Sequence, residues 1–339
     1  MAQTRYIWDL DKTYLKTEFD SFAGLLRTAF ESPEKKENFP GTASLIRELK
    51  KRENSEIYFI SGSPRQMRNA LEKKLSLDGA KWDGFVLKEN LENFLKGRFR
   101  ALREQVGYKL PALLKLRKNS KPGTSEIMFG DDAESDAFIY SIYADILGGR
   151  VPVPDLRWVL GKARVYEDTA DEIEDLAALA AKDDPVRIIF INLDRKTPTE
   201  SFTRFGTRVV PIHNYFQAGM VLHARGYLSG RGLVNTASEM IDRYAYSTDN
   251  LSNSFQDLLR RGVVGRAEAM EILEKFESIP ALAGLTNPFR KKLAVMRVER
   301  PAGGRSFIPS SDYPDLYGAW METEKKKSQL YPVRRFLEW

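Results

Sequence analysis

Cysteine is absent from the 339-residue chain, and histidine occurs only at His213 and His223. Without thiols, disulfides, thiolate metal sites and cysteine nucleophiles are excluded. An imidazole-based metal centre has at most these two histidines to draw on. No apolar run approaches the ~20 residues a helix needs to cross a bilayer. An apolar strand expected at 5–10 follows the N-terminus almost at once, leaving no room for a signal peptide before it. A cytoplasmic protein, at most peripheral to membranes, is the expectation. Hydrophobic content of 42% with 29% charged residues is ordinary for a soluble globular protein. The length suits one large domain or a domain with an extension.

What is present alternates. Apolar runs at 5–10, 56–61 ("EIYFIS"), 85–87, 126–130 ("EIMFG"), 186–193 ("VRIIFINL") and 208–211 read as strands. Helical patterns separate them at 41–51, 64–77, 90–105, 109–117, 134–147 and 171–181. Strands alternating with helices predict an α/β fold, a doubly wound parallel sheet covered on both faces. Neither spacer between the early elements is long enough for a large separate cap. From about 230 the pattern turns helical, at 234–246, 251–262 and 266–276. The expected division is therefore an α/β domain at 1–229 and a mainly helical extension at 230–339. Ligands of such sheets sit at the carboxyl ends of the strands.

Those ends carry the chemistry. "WDLDKT" closes the first strand with Asp9 and Asp11, two carboxylates whose repulsion a metal ion or a shared proton would relieve. "ISGSP" closes the second with Ser61, and Ser63 with Pro64 reads as a helix start whose N–H groups suit phosphate. "YKLPALL" offers Lys109. "GDDAESD" closes a later strand with Asp131 and Asp132, and Asp136 opens a helix. Acid groups gathered at one sheet edge call for a divalent cation, and hard oxygen ligands favour Mg²⁺.

This ordered set resembles the haloacid dehalogenase superfamily of aspartyl phosphotransferases. Within it, residues 6–143 look most like the catalytic domain of the actin-patch-associated phosphatidate phosphatases. The resemblance implies that Asp9 is the nucleophile and Asp11 the general acid and base. It implies that Ser61, the Gly62 N–H and Lys109 bind the phosphoryl group, and that Thr13 holds the motif loop. Mg²⁺ would be held by Asp9, the Asp11 carbonyl and Asp131, with Asp132 and Asp136 in support. Four positions depart from the subfamily pattern: Lys12 stands for an acid, Gly62 for Asn, Arg65 for Trp, and "GDDAESD" for "GDSGQxD".

The expected activity is thus Mg²⁺-dependent phosphomonoester hydrolysis through an aspartyl phosphate, on phosphatidate or a related anionic lipid. The alternatives are another phosphoester (phosphoprotein, nucleotide or small metabolite) and a non-catalytic phospholipid- or phosphoprotein-binding module. An uncapped site suits a large or interfacial substrate with its acyl chains outside. Residues 88–121 carry ten Lys or Arg against three acids, which suits an anionic surface, while 166–184 is strongly acidic. Few aromatics interleave the basic stretch, which argues against nucleic acid as partner. His213 and His223 lack a paired ligand in sequence and are expected to be structural or surface residues. The tail "KKKSQLYPVRRFLEW" mixes cations and aromatics but is interrupted by Pro332, and is expected to dock on its own domain.

Overall fold

A computed structural model of the chain describes residues 3–16, 37–88, 102–277, 283–295, 317–318 and 320–322. Six strands, β1 (Thr4–Asp9), β2 (Ser55–Pro64), β3 (Gly84–Lys88), β4 (Ser125–Asp131), β5 (Val186–Asn192) and β6 (Val209–Ile212), form one sheet. Its order is β3-β2-β1-β4-β5-β6, and every neighbouring pair is parallel. The chain winds outward from β1 to β3, then returns beside β1 as β4 and winds the other way. The crevice where the winding reverses lies between the carboxyl ends of β1 and β4.

Side-chain alternation explains why both faces need cover. Tyr6 and Trp8 of β1, Phe129 of β4 and Phe190 of β5 enter one apolar core, while Ile7, Met128 and Ile189 enter the other. Register places Trp8 beside Phe129 and Phe129 beside Phe190. Their rings stack at 3.7 and 4.9 Å, a rigid aromatic platform under the crevice.

The second core is covered by α3 (Leu102–Lys118), α4 (Asp136–Leu147), α5 (Val153–Lys162) and α6 (Glu167–Leu179). The first is covered by α1 (Thr42–Lys50), α2 (Arg68–Leu77) and α7 (Tyr215–Ala224), then by α8 (Gly230–Tyr244), α9 (Thr248–Arg260), α10 (Arg266–Glu277) and α11 (Ala283–Val295). Helix α8 packs on α1 and α7, and α9 and α10 pack on α7. Leu233, Ala237, Leu258 and Phe276 lie in the same core as the sheet residues. Gly41, at φ 88°, admits α8 against α1: a Cβ there would lie 2.9 Å from Met240 Sδ. Residues 317–318 and 320–322 reach the other face, where Trp320 stacks on Phe138 at 4.8 Å and Tyr317 donates to Asp145.

Several expected elements are redrawn. The helix expected from Pro64 begins at Arg68, because β2 runs to Pro64 with a register shift and a short 3-10 turn follows at Arg65–Met67. Ser63 therefore caps no helix. The helices expected at 90–105 and 109–117 are, among the described residues, one helix at Leu102–Lys118. It runs through Pro111 because its buried stripe, Val106, Leu110, Leu113 and Leu114, outweighs the cost of an interior proline. Helix α5 was hidden by Pro152 and Pro154, which stand at its start rather than breaking it. Helix α11 was hidden by its own Pro288. Residues 89–101 and the tail at 323–339 lie outside the described residues. The basic and acidic stretches face each other: Lys115 of α3 pairs with Glu172 of α6 at 2.5 Å, and Arg117 with Asp183.

Candidate active site

Strand β1 delivers Asp9 to its carboxyl end, and a tight loop follows. The N–H groups of Tyr14 and Leu15 both return to the Leu10 carbonyl. Lys12 sits at φ 56°, and its carbonyl accepts Asn192 Nδ2 from the end of β5 at 3.0 Å. The Thr13 carbonyl accepts the Tyr215 hydroxyl at 2.6 Å. The loop is thus bolted to β5 and α7, so its carboxylates are held before any ligand arrives.

Asp11 faces the end of β2. The hydroxyls of Ser61 and Ser63 both donate to its Oδ2 at 3.0 Å, and the Ser63 N–H donates to Ser61 Oγ. Ser63, read from sequence as a helix cap, is instead a second hydroxyl on Asp11. The extension of β2 past Ser61 brings it there. Gly62 has open space where a Cβ would be.

Lys109 projects from α3 into the centre. Its Nζ lies 2.9 Å from Asp9 Oδ1 and 2.8 Å from Glu134 Oε2, and it also pairs with Asp136 Oδ1. Asp131, at the end of β4, accepts the N–H groups of Ala133 and Glu134 on Oδ1, at 2.6 and 2.8 Å. Asp136 accepts the Asp131 N–H, and its close approach requires Gly130, where a Cβ would fall 2.5 Å from the Asp136 carboxylate. Asp132 is placed differently. Its two oxygens accept the N–H groups of Arg195 and Thr197 in the loop after β5.

One ammonium among Asp9, Asp11, Asp131, Glu134 and Asp136 leaves a surplus of negative charge in a buried place. Burial chiefly, then the neighbouring acids, push Asp9 and Asp131 well above the usual carboxylate range, although Lys109 pulls back. Burial and Glu134 raise Asp11 to about 6 against the opposing hydrogen bonds of the two serines. Burial works against the charge on Lys109, but Asp136, Asp9 and Glu134 more than compensate and hold it firmly protonated.

Two oxygens decide whether a cation fits. Asp9 Oδ2 and Asp131 Oδ2 are both buried without a hydrogen-bond partner, a costly state for a carboxylate. Asp9, Asp131, Glu134 and Asp136 each offer an oxygen within 4.8 Å of the others. Hard, anionic, closely spaced oxygens are the donor set of a divalent cation such as Mg²⁺. Glu134 was not foreseen, although it sits inside the quoted "GDDAESD". Its signal was its place three residues after Asp131, on the strand-end loop before α4.

The histidines lie apart from this centre. His213 is exposed after β6, where its N–H donates to Gln217. His223 is 2.9 Å from the Leu228 carbonyl through Nδ1. Among the described residues no helix is long and apolar enough to cross a membrane.

The sheet order and the crevice chemistry define the class: a doubly wound, Rossmann-like α/β domain with an acid-and-lysine centre at its switch point. Residues 4–153 match the family model described as the catalytic domain of phosphatidate phosphatase APP1, the family that the motifs resemble. The matched segment is a little under half the chain. It contains the stretches that carry Asp9, Asp11, Ser61, Lys109, Asp131 and Asp136. No curated protein and no solved structure gives a match.

Proposed function

We propose that this chain is a phosphatase that cleaves a phosphomonoester, with phosphatidate or a related anionic lipid as substrate. The observation that carries the reading is the pairing at the crevice: Asp9 joined to Lys109 with one oxygen unpartnered, beside Asp11 held by two serine hydroxyls. In this reading an Asp9 oxygen attacks phosphorus, the bond from phosphorus to the ester oxygen breaks, and an aspartyl phosphate forms. Asp11 gives its proton to the departing alkoxide, which a carboxyl raised to about 6 can do near neutral pH. It then takes a proton from water as that water attacks phosphorus and releases Asp9.

Lys109 holds Asp9 in place and offsets charge on the transferring group. Ser61 and the Gly62 N–H contact phosphoryl oxygens. A Mg²⁺ would be held by Asp9, Asp131 and the Asp11 carbonyl, with Glu134 and Asp136 in support, and would supply further neutralisation of the phosphoryl oxygens. Asp132 in this reading sets the loop after β5 rather than contacting the ion. The helical region from 230 onward braces the site through α7, whose Tyr215 holds the Thr13 carbonyl. We read the division near 230 as one of role.

Phosphate release from lipid, nucleotide, sugar and phosphopeptide monoesters, with and without Mg²⁺ and for Asp9→Asn beside the unaltered protein, tests this. Hydrolysis of phosphatidate that needs both Mg²⁺ and Asp9 is the expected result. Hydrolysis confined to soluble phosphates overturns the lipid assignment and keeps the chemistry. Turnover surviving in Asp9→Asn removes the nucleophile. Binding without turnover of any ester returns the chain to a non-catalytic module.

A further inference from the structure

Outside the acid centre, the described residues form a groove of about 600 Å³, within the range of ligand pockets. One wall is a helical stripe of α3, with Gly107, Pro111 and Ala112 following one another along it. The opposite wall comes from the start of α6 and the turn before it, with Val165 and Thr169 facing the stripe. Val86 and Leu87 of β3 lie at the strand end of the floor. The stripe from 103 to 119 extends about 24 Å at the rise of an α-helix. Its apolar part is the stretch from Gly107 to Ala112, beyond which the Lys115–Glu172 ion pair joins the two walls.

The upper end of the groove is linked to the candidate active site through Tyr108. Tyr108 lines the groove, and its hydroxyl oxygen lies 2.9 Å from the Ser61 carbonyl and 3.1 Å from that of Val86. The next residue is Lys109, on Asp9. Arg65, just past the end of β2, lines the same end. Charged and aromatic groups continue along the rim: the Arg103 guanidinium lies 4.5 Å over the ring of Tyr166, which is 53% exposed, and pairs with Glu104 at 3.4 Å.

A ligand matching this shape has an anionic group at the crevice, polar atoms beside Arg65 and Arg103, and an unbranched apolar stretch along the α3 stripe. A sugar phosphate or nucleotide would leave the apolar length empty. We propose that the groove between α3 and α6 is an acyl-chain site, taking one chain of the lipid whose phosphate is at Asp9. This rests on the phosphatase reading for the position of the phosphate, and it replaces the expectation that both chains stay outside.

The test separates binding from turnover. Non-hydrolysable phosphonate analogues of dibutanoyl-, dihexanoyl- and dioctanoyl-phosphatidate, each below its micelle concentration, are titrated into the full chain by calorimetry. The corresponding phosphatidates are assayed for phosphate release. Affinity is expected to rise about fourfold for each further methylene buried. Ala112→Trp, which fills the groove from α3, is expected to flatten that rise. Thr169→Trp does so from the opposite wall and serves if the first variant fails to fold. A flat series in the unaltered protein, or an undiminished slope in the folded variants, overturns the groove. Phosphatidate hydrolysis alongside a flat series leaves the phosphatase reading standing. A steep series that the variants flatten, with no ester ever cleaved, keeps the groove and sinks that reading.

Discussion

Strands β1 and β4 carry a buried ionic cluster at each end, and the two clusters are built on opposite rules. At the amino end, Arg5 donates to Glu56 through Nε and Nη2 at 2.9 and 2.8 Å, and to the Leu116 carbonyl and Ser120 through Nη1. Arg117 reaches the Thr124 carbonyl, Glu126 and Asp183, and the second oxygen of Glu126 accepts the Tyr143 hydroxyl at 2.8 Å. Each of these charged side chains has an opposite partner or a hydroxyl. At the carboxyl end one lysine serves several acids, and two carboxylate oxygens are left over. Glu126 and Asp131 are equally inaccessible, so burial does not separate the two ends. Completeness does: the amino-end network gives each charge a protein partner, whereas the carboxyl-end network leaves one oxygen of Asp9 and one of Asp131 without one.

The comparison breaks most sharply on Lys109. Lys109→Met should lower turnover by about a thousandfold, the scale of losing one preorganised charge in a phosphoryl-transfer site. Steady-state kinetics on protein checked for folding by circular dichroism would show it, and a loss under tenfold would mean Lys109 is only structural. Glu126→Ala should do the reverse. It strips Arg117 and Tyr143 of a buried partner and should cost about 3–5 kcal/mol of stability by urea unfolding. Turnover per folded molecule should stay within about twofold, since the site is a strand length away.

A smaller effect tests the unpartnered oxygens themselves. Mg²⁺ at about a hundred times its dissociation constant should add roughly 2.7 kcal/mol to stability, because it binds only the folded chain. In Asp131→Asn that gain should shrink to nearly nothing, read as the shift of the melting temperature with and without chelator. An equal Mg²⁺ shift in the variant would place the ion elsewhere. The metal-free variant should be no less stable than the unaltered protein, because a neutral group relieves a carboxylate that burial and neighbouring acids oppose.

How much of this could be read beforehand follows from where each signal lies. Asp9, Asp11, Ser61, Lys109, Asp131 and Asp136 were legible because each stands at the end of an apolar run or within an ordered motif. Such positions fall at one edge of a parallel sheet. Ser63 was misread because a strand that overruns its motif looks, residue by residue, like a capped helix start. Glu134 stayed hidden because one more acid in a loop already rich in acids has no period to single it out. Only the fold of the β4–α4 loop brings it to Lys109. Helices α5 and α11 were lost to their prolines, whose effect depends on the position in the turn. Pairing between the basic and acidic stretches was a property of helix packing, which composition does not carry.

The gentlest way to sharpen the comparison is at the amino edge, with Asp184. It precedes β5 and accepts from Arg150 at 2.8 Å and Arg208 at 3.1 Å. Partial burial alone would raise its carboxyl, but the Arg150 hydrogen bond and the charges of Arg208 and Arg150 outweigh it, so the group sits below the usual carboxylate range. A depressed folded value means the contribution is fully present above the unfolded value of about 4 and is lost as pH falls through the folded one. The side chain is 44% exposed, so solvent screening limits the effect to a few tenths of a kcal/mol, about that of a surface ion pair. Asp184→Asn should therefore lower the melting temperature slightly at pH about 7, and the two proteins should converge as pH approaches about 3. A difference that persists unchanged at the lower pH would show that Arg150 and Arg208 hold the edge by shape rather than by charge.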